Sequence, residues 1–186
     1  MPAPTPPRPA GPSPRIEPVP PDTWQEIART LPLTVPGPAD APLNVFTVLA
    51  RHPELFRTWV GFAGTLLLTG LLPARARELA ILRTAHRSAC AYEWAHHVPL
   101  ARAAGLSEEA IASLDSPALD GHWDGEDLLV LRATDEIHDL GELTDRTWDA
   151  LRRLYDDRQL IELVILVGQY RMLAATLRTL RIPLED

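Results

Sequence analysis

From Asn44 onward the apolar residues of this chain recur three and four positions apart, and no stretch alternates convincingly with a period of two. The pattern therefore predicts helices. Asn44 is read as the cap of a short helix to Arg51, and Pro53 opens another that carries Phe56, Trp59, Val60 and Phe62 toward Leu68. After Pro73 the stretch from Arg75 to Arg87 turns Leu79, Leu82 and Ala85 inward, with Glu78 beside them. Ser88, Ala89 and Cys90 form a break, and the next helix holds Glu93 and runs to Ala104, where Gly105 suits a helix stop. Ser107, Glu108 and Glu109 start a short helix. Asp115 to Trp123 reads as loop, Asp124 as the cap of a helix to about His138, and Thr144 as the cap of the next. The last helix, Asp157 to about Leu180, is long and apolar through Leu160, Leu163, Val164, Val167, Met172, Leu173 and Leu177. Its apolar face is wider than a small monomer needs, which predicts a subunit interface.

The N-terminal part follows different rules. Fourteen of the 19 prolines fall between Pro2 and Pro42, so residues 1–42 read as a proline-rich arm ahead of a helical domain over 43–186. The first 20 or so residues are expected to be extended, either disordered, packed on a neighbouring subunit, or an SH3-type ligand. Within the arm, Asp22 is expected to cap a short helix that docks through Trp24. Further on, Glu78 to Leu82 (Glu-Leu-Ala-Ile-Leu) is echoed by Glu162 to Leu166 (Glu-Leu-Val-Ile-Leu). Chance similarity of two Leu-rich helices and an ancient duplication both account for the echo.

Composition narrows the function classes. With 186 residues and 46% hydrophobic content the chain can bury a core without crosslinks. Its single cysteine, Cys90, excludes an internal disulfide framework and a Cys-rich zinc site, which fits a cytoplasmic setting. A net charge of −7 argues against nucleic acid as a partner. All 18 basic residues are arginine. No run reaches the roughly 20 uninterrupted apolar residues of a membrane span, and no signal peptide is read, so no membrane is expected.

The candidate chemistry lies in Cys90-Ala91-Tyr92-Glu93-Trp94-Ala95-His96-His97. On a helix, Glu93 precedes the two histidines by three and four residues, so a carboxylate and an imidazole share one face. Such a pair handles protons. His97 is the candidate acid or base, Glu93 its partner, and Glu78 a group that orients or relays. Ordinary structural roles remain open beside these: a core histidine for His97, an ion pair with Arg87 or Arg102 for Glu93, and a salt bridge with Arg75 or Arg77 for Glu78. His96 points about 100° away from His97. Tyr92, Trp94, Trp59 and Phe62 are pocket candidates or core aromatics, and Cys90 is a small buried hydrophobe or a thiol nucleophile. A metal site from Glu78, Glu93, His96 and His97 is disfavoured because adjacent histidines diverge, so no metal is expected.

The runs Leu72 to Leu79, Tyr92-Glu93-Trp94-Ala95-His96-His97 and Ala101 to Ser107, with Asp157 to Leu163 and Val167 to Tyr170, resemble the carboxymuconolactone decarboxylase family over roughly residues 45 to 182. The resemblance implies an all-α, alkylhydroperoxidase D-like domain, independent of cofactors and assembled as a homotrimer or homohexamer. The peroxidase members of that superfamily carry a glutamate, a Cys-x-x-Cys pair and a histidine at the positions of Glu78, Cys90, Glu93 and His97. Glu93 stands in place of the second cysteine, so no dithiol can form, and the resemblance points to the decarboxylase-type branch. What it implies is a cofactor-free lyase or isomerase working by acid-base proton transfer on a carboxylated lactone or carbonyl compound. In that reading Arg83 or Arg87 binds a substrate carboxylate. A thiol-dependent alkylhydroperoxidase-like protein using Cys90 and a non-catalytic oligomeric binding module are the alternatives.

Overall fold

The computed structural model describes residues 13–33, 35, 42–114, 116, 119, 123 and 125–185. Among these residues it contains nine helices and no strand. They are α1 (Pro21–Ala28), α2 (Asn44–Leu49), α3 (Pro53–Leu68), α4 (Ala74–Arg87), α5 (Ala91–Ala103), α6 (Glu108–Ser113), α7 (Gly125–Leu140), α8 (Asp145–Leu151) and α9 (Asp157–Leu180). The all-α reading holds. The first 12 residues, Asp124, and most of the stretch expected to be loop after Asp115 lie outside the described residues.

Helix α4 is the centre. It packs against α5, α7 and α9, and every residue from Glu78 to Ala85 is buried. A helix apolar on one stripe can face solvent; one buried on all sides must have neighbours all round. Three ion pairs tie it to α7: Arg75 to Asp127 (2.7 Å), Arg83 to Asp135 (2.8 Å) and Arg87 to Asp139. Each pair spans 52 positions, so α4 and α7 run in the same direction in fixed register, with α5 and α6 making the return.

Most starts and stops follow the expected signals. Ser107 and Thr144 accept from Ala110 N and Thr147 N, and Asp156 with Gln159 forms a capping box for α9. Two caps differ from expectation. Asn44 is the first residue of α2 rather than its cap, because its side chain reaches Pro183 O and its N–H goes to Glu185. Asp22 lies inside α1, where Pro21 opens the helix. Trp24 does anchor that helix, packing against Phe56 on α3 with ring centroids 6.0 Å apart.

Helix α9 is long and apolar enough in overall composition to cross a membrane, although charged and polar residues such as Arg158, Glu162, Gln169 and Arg171 interrupt its apolar run. In the fold it is a core helix: Leu160, Leu163, Leu166, Val167 and Ala174 are buried, and it packs on α3, α4 and α7. Its outer face leaves Ile161, Val164, Ile165 and Met172 exposed. The echo between α4 and α9 has no common role, since Glu78 binds His97 whereas Glu162 accepts from Leu71 N and Leu72 N ahead of α4.

Candidate functional site

The turn between α4 and α5 sets the site. Helix α4 ends with Cys90 N bonding Ala85 O (2.8 Å) and Ala89 N bonding His86 O (2.9 Å), the paired bonds of a Schellman stop. Ala89 takes the left-handed position there at φ 49°, where glycine is usual, a strain of roughly 1 kcal/mol. The turn folds α5 back along α4, so His97 on one helix meets Glu78 on the other.

His97 Nδ1 lies 2.8 Å from Glu78 Oε2, and the other oxygen of Glu78 accepts from Arg77 Nε at 3.0 Å. Glu78 is fully buried and His97 nearly so. Nδ1 is engaged by Glu78, which leaves Nε2 as the imidazole atom open to exchange a proton. The ring is steadied from a third side by Tyr170, whose ring meets it edge-on at 5.0 Å and 88°. Burial, together with Glu78 and Glu93 nearby, pushes the Tyr170 hydroxyl pKa upward, so it stays protonated.

Glu93 is the anomaly of the site. It is 2% exposed, and among the described residues neither carboxyl oxygen has a hydrogen-bond partner. Its place in the first turn of α5 would favour the anion through the helix dipole. Desolvation dominates and pushes its pKa to about 8, with a weak contact from the Cys90 thiol offsetting only part of the shift. The same burial, reinforced by Glu93, raises the Cys90 thiol to about 12. That thiol is a poor nucleophile near neutral pH.

Glu93 and His97 open onto a cavity of about 470 Å³ whose walls come from α2, α3, α4, α5, α9 and the segment before α2. Tyr92, His96 and Trp59 also line it, as the sequence suggested. His96, however, is fully engaged: Nδ1 contacts Tyr92 O and Nε2 lies 2.8 Å from Glu185 Oε2. Tyr92 donates to Glu185 Oε1 at 2.6 Å. Five candidates lie elsewhere. Arg83 is wholly buried, held by Asp135 and by the carbonyls of Leu114 and Ser116, and Arg87 pairs with Asp135 and Asp139. Trp94 packs on the main core beside His86, and Phe62 faces outward at 43% exposure. Cys90 is buried in the small cluster under α2. Conversely, Arg77, Tyr170, Phe46, Leu33 and Val35 line the cavity without having been singled out. Arg77 was read only as a salt-bridge flank of Glu78. No periodicity points to Leu33 or Val35, which lie in the proline-rich stretch.

Residues 53–136 match the carboxymuconolactone decarboxylase family, a narrower span than the 45 to 182 of the resemblance. No curated protein matches the chain. Three solved structures share the fold. An uncharacterised peroxidase-related protein from Ralstonia eutropha JMP134, described as an alkylhydroperoxidase AhpD core, is 19% identical with a TM-score of 0.75, covering 95% of each chain. An uncharacterised peroxidase-related protein from Silicibacter sp. TM1040 is 16% identical with a TM-score of 0.69, covering 86% of this chain and 92% of its own. A protein of unknown function from Agrobacterium tumefaciens, assigned provisionally to antioxidant defence, is 20% identical with a TM-score of 0.66, covering 74% and 96%.

Proposed function

We propose that this chain, whose residues 53–136 belong to the carboxymuconolactone decarboxylase family, is an enzyme that moves a proton to or from carbon beside a carbonyl group. The observation that carries this reading is the buried Glu93 carboxyl, without a partner on either oxygen among the described residues, on the wall of the cavity that His97 also lines. A carboxyl held neutral by desolvation is an acid awaiting a base.

In decarboxylation of a β-keto acid, the bond from the α-carbon to the carboxyl carbon breaks and its electron pair moves into the ketone, giving an enolate as CO2 leaves. Neutral Glu93 protonates that carbon and later regains a proton from solvent. Arg77 lies in the wall with its Nε on Glu78, and its terminal nitrogens have no bond among the described residues. They are available to the oxygen on which the charge develops. His97, oriented by Glu78, removes or returns a proton where isomerisation replaces CO2 loss. The fold neighbours described as peroxidase-related favour a redox role by analogy, but a raised Cys90 thiol with no second cysteine in the chain argues against an internal disulfide cycle.

The test is a screen of purified protein against β-keto acids and carboxylated lactones, following CO2 release and deuterium uptake from D2O. Glu93→Gln and His97→Asn are each expected to lower turnover 10²- to 10⁴-fold, the usual contribution of a positioned acid or base. Turnover that survives both substitutions, or peroxide consumption abolished by Cys90→Ser, overturns the reading.

A further inference from the structure

The polar groups of the cavity are few and nearly all engaged. Tyr92 and His96 are held by Glu185, and His97 Nδ1 by Glu78. What remains for a ligand is the terminal nitrogens of Arg77, the Glu93 carboxyl and His97 Nε2, with Arg77 and His97 held together by the two oxygens of Glu78. Other walls come from apolar side chains such as Leu33, Val35, Phe46, Trp59, Leu67 and Leu173. Among the described residues Arg77 is the one arginine in the lining, and the sequence contains no lysine.

Resting on the proton-transfer reading, we infer that the substrate has a single acidic or carbonyl head, held at Arg77, and an uncharged hydrocarbon body filling the rest of the cavity. A second carboxylate would be desolvated against leucine, valine and aromatic rings with no cation to meet it, a penalty of several kcal/mol. At roughly 30 Å³ per water-sized group, the cavity of about 470 Å³ has room for about 15 non-hydrogen atoms. The body therefore extends well beyond the few atoms around the reacting carbon.

Part of the apolar wall is supplied from outside the segment that matches the family. Leu33 lies against Gly64 on α3 so closely that a β-carbon there would stand 2.1 Å from Leu33 Cδ2. Val35 lines the same cavity. The glycine makes room for the leucine, and together they set how far a tail can reach.

Titration calorimetry with straight-chain monocarboxylates tests the inference without requiring turnover. Affinity should rise 2- to 4-fold for each added methylene from hexanoate to decanoate and stop rising between 12 and 14 carbons. Sebacate, of the same length as decanoate but charged at both ends, should bind at least 10-fold more weakly. Arg77→Gln should weaken decanoate at least 10-fold and leave 1-decanol unchanged, which also shows that the variant is folded. Leu33→Ala should shift the length limit upward and keep the requirement for Arg77. Sebacate binding within 3-fold of decanoate, a flat length series, or no binding of any monocarboxylate overturns the inference. Deuterium exchange lost in Glu93→Gln with the length series absent would leave only the proton-transfer reading standing; the series present without any exchange would leave only this one.

Discussion

Glu93 combines two demands that oppose each other. A carboxyl with a pKa of about 8 is neutral at pH 7, which suits proton donation and harms stability at higher pH. The unfolded chain ionises this group near the ordinary 4.5. Between that value and about 8 the folded state therefore holds the extra proton, and stability falls as pH rises through the window. The full shift corresponds to roughly 5 kcal/mol as an upper bound. Glu93→Gln should remove this slope, so urea denaturation should show the variant gaining several kcal/mol on the wild type between pH 5 and pH 9. A constant difference across that range would mean that Glu93 ionises normally in the folded protein. Substrate turnover, in turn, should decline above about pH 8, as the acid form is lost. The Glu93 and His97 spacing was legible in the sequence, because four residues on a helix is a local relation. The useful arginine was not, because Arg83 and Arg87 are claimed by Asp135 and Asp139, which lie far along the chain. Which guanidinium is free depends on tertiary pairing that no local pattern records.

Helices α4 and α7 show how differently similar pairs contribute. Arg83 is wholly buried and donates to Asp135 and two carbonyls, whereas Asp139 on the outer pair is half exposed. Removing one partner of a buried pair costs about 3–5 kcal/mol, and an exposed pair contributes under about 1 kcal/mol. Arg83→Met should thus lower stability by about 3 kcal/mol or more in urea titrations, with Arg87→Met within about 1 kcal/mol of wild type. Equal losses from both would refute the buried pair as a structural lock between the parallel helices. Element limits were readable where they follow local chemistry, as at Pro53, Ser107 and Thr144. They were misread at Asn44 and Asp22, whose capping side chains have a distant partner or a proline beside them.

At the scale of the molecule, the C-terminal tail holds the cavity together. Arg181, at φ 55°, turns the chain after α9, and Glu185 then accepts from Asn44 N and Tyr92 and faces His96. Its carboxyl is pushed up by burial but pulled further down by the bonds from Tyr92 and Asn44 and by the charge of His96, leaving its pKa below the ordinary value. A lowered acid stabilises the fold above the unfolded pKa and loses that contribution as pH falls through the folded one. Glu185→Gln should therefore unfold at lower temperature than wild type at pH 7, and the gap in melting temperature should shrink as the pH falls below the ordinary 4.5 and through the lowered folded-state value. A gap that persisted into acid would locate the effect in packing instead of charge. None of this clasp was visible in the sequence, since it joins three segments that are far apart along it.

The wall formed by Leu33 and Val35 carries a consequence for how such proteins diversify. The groups proposed to react sit on α4 and α5, inside the family-matched span, whereas these two residues come from a stretch outside it. In the proposed function the two parts face mutational pressure separately: one is constrained by the geometry of proton exchange, the other only by the shape of what it encloses. A lineage could exchange its leading stretch and acquire new substrates while the reaction itself went on unaltered.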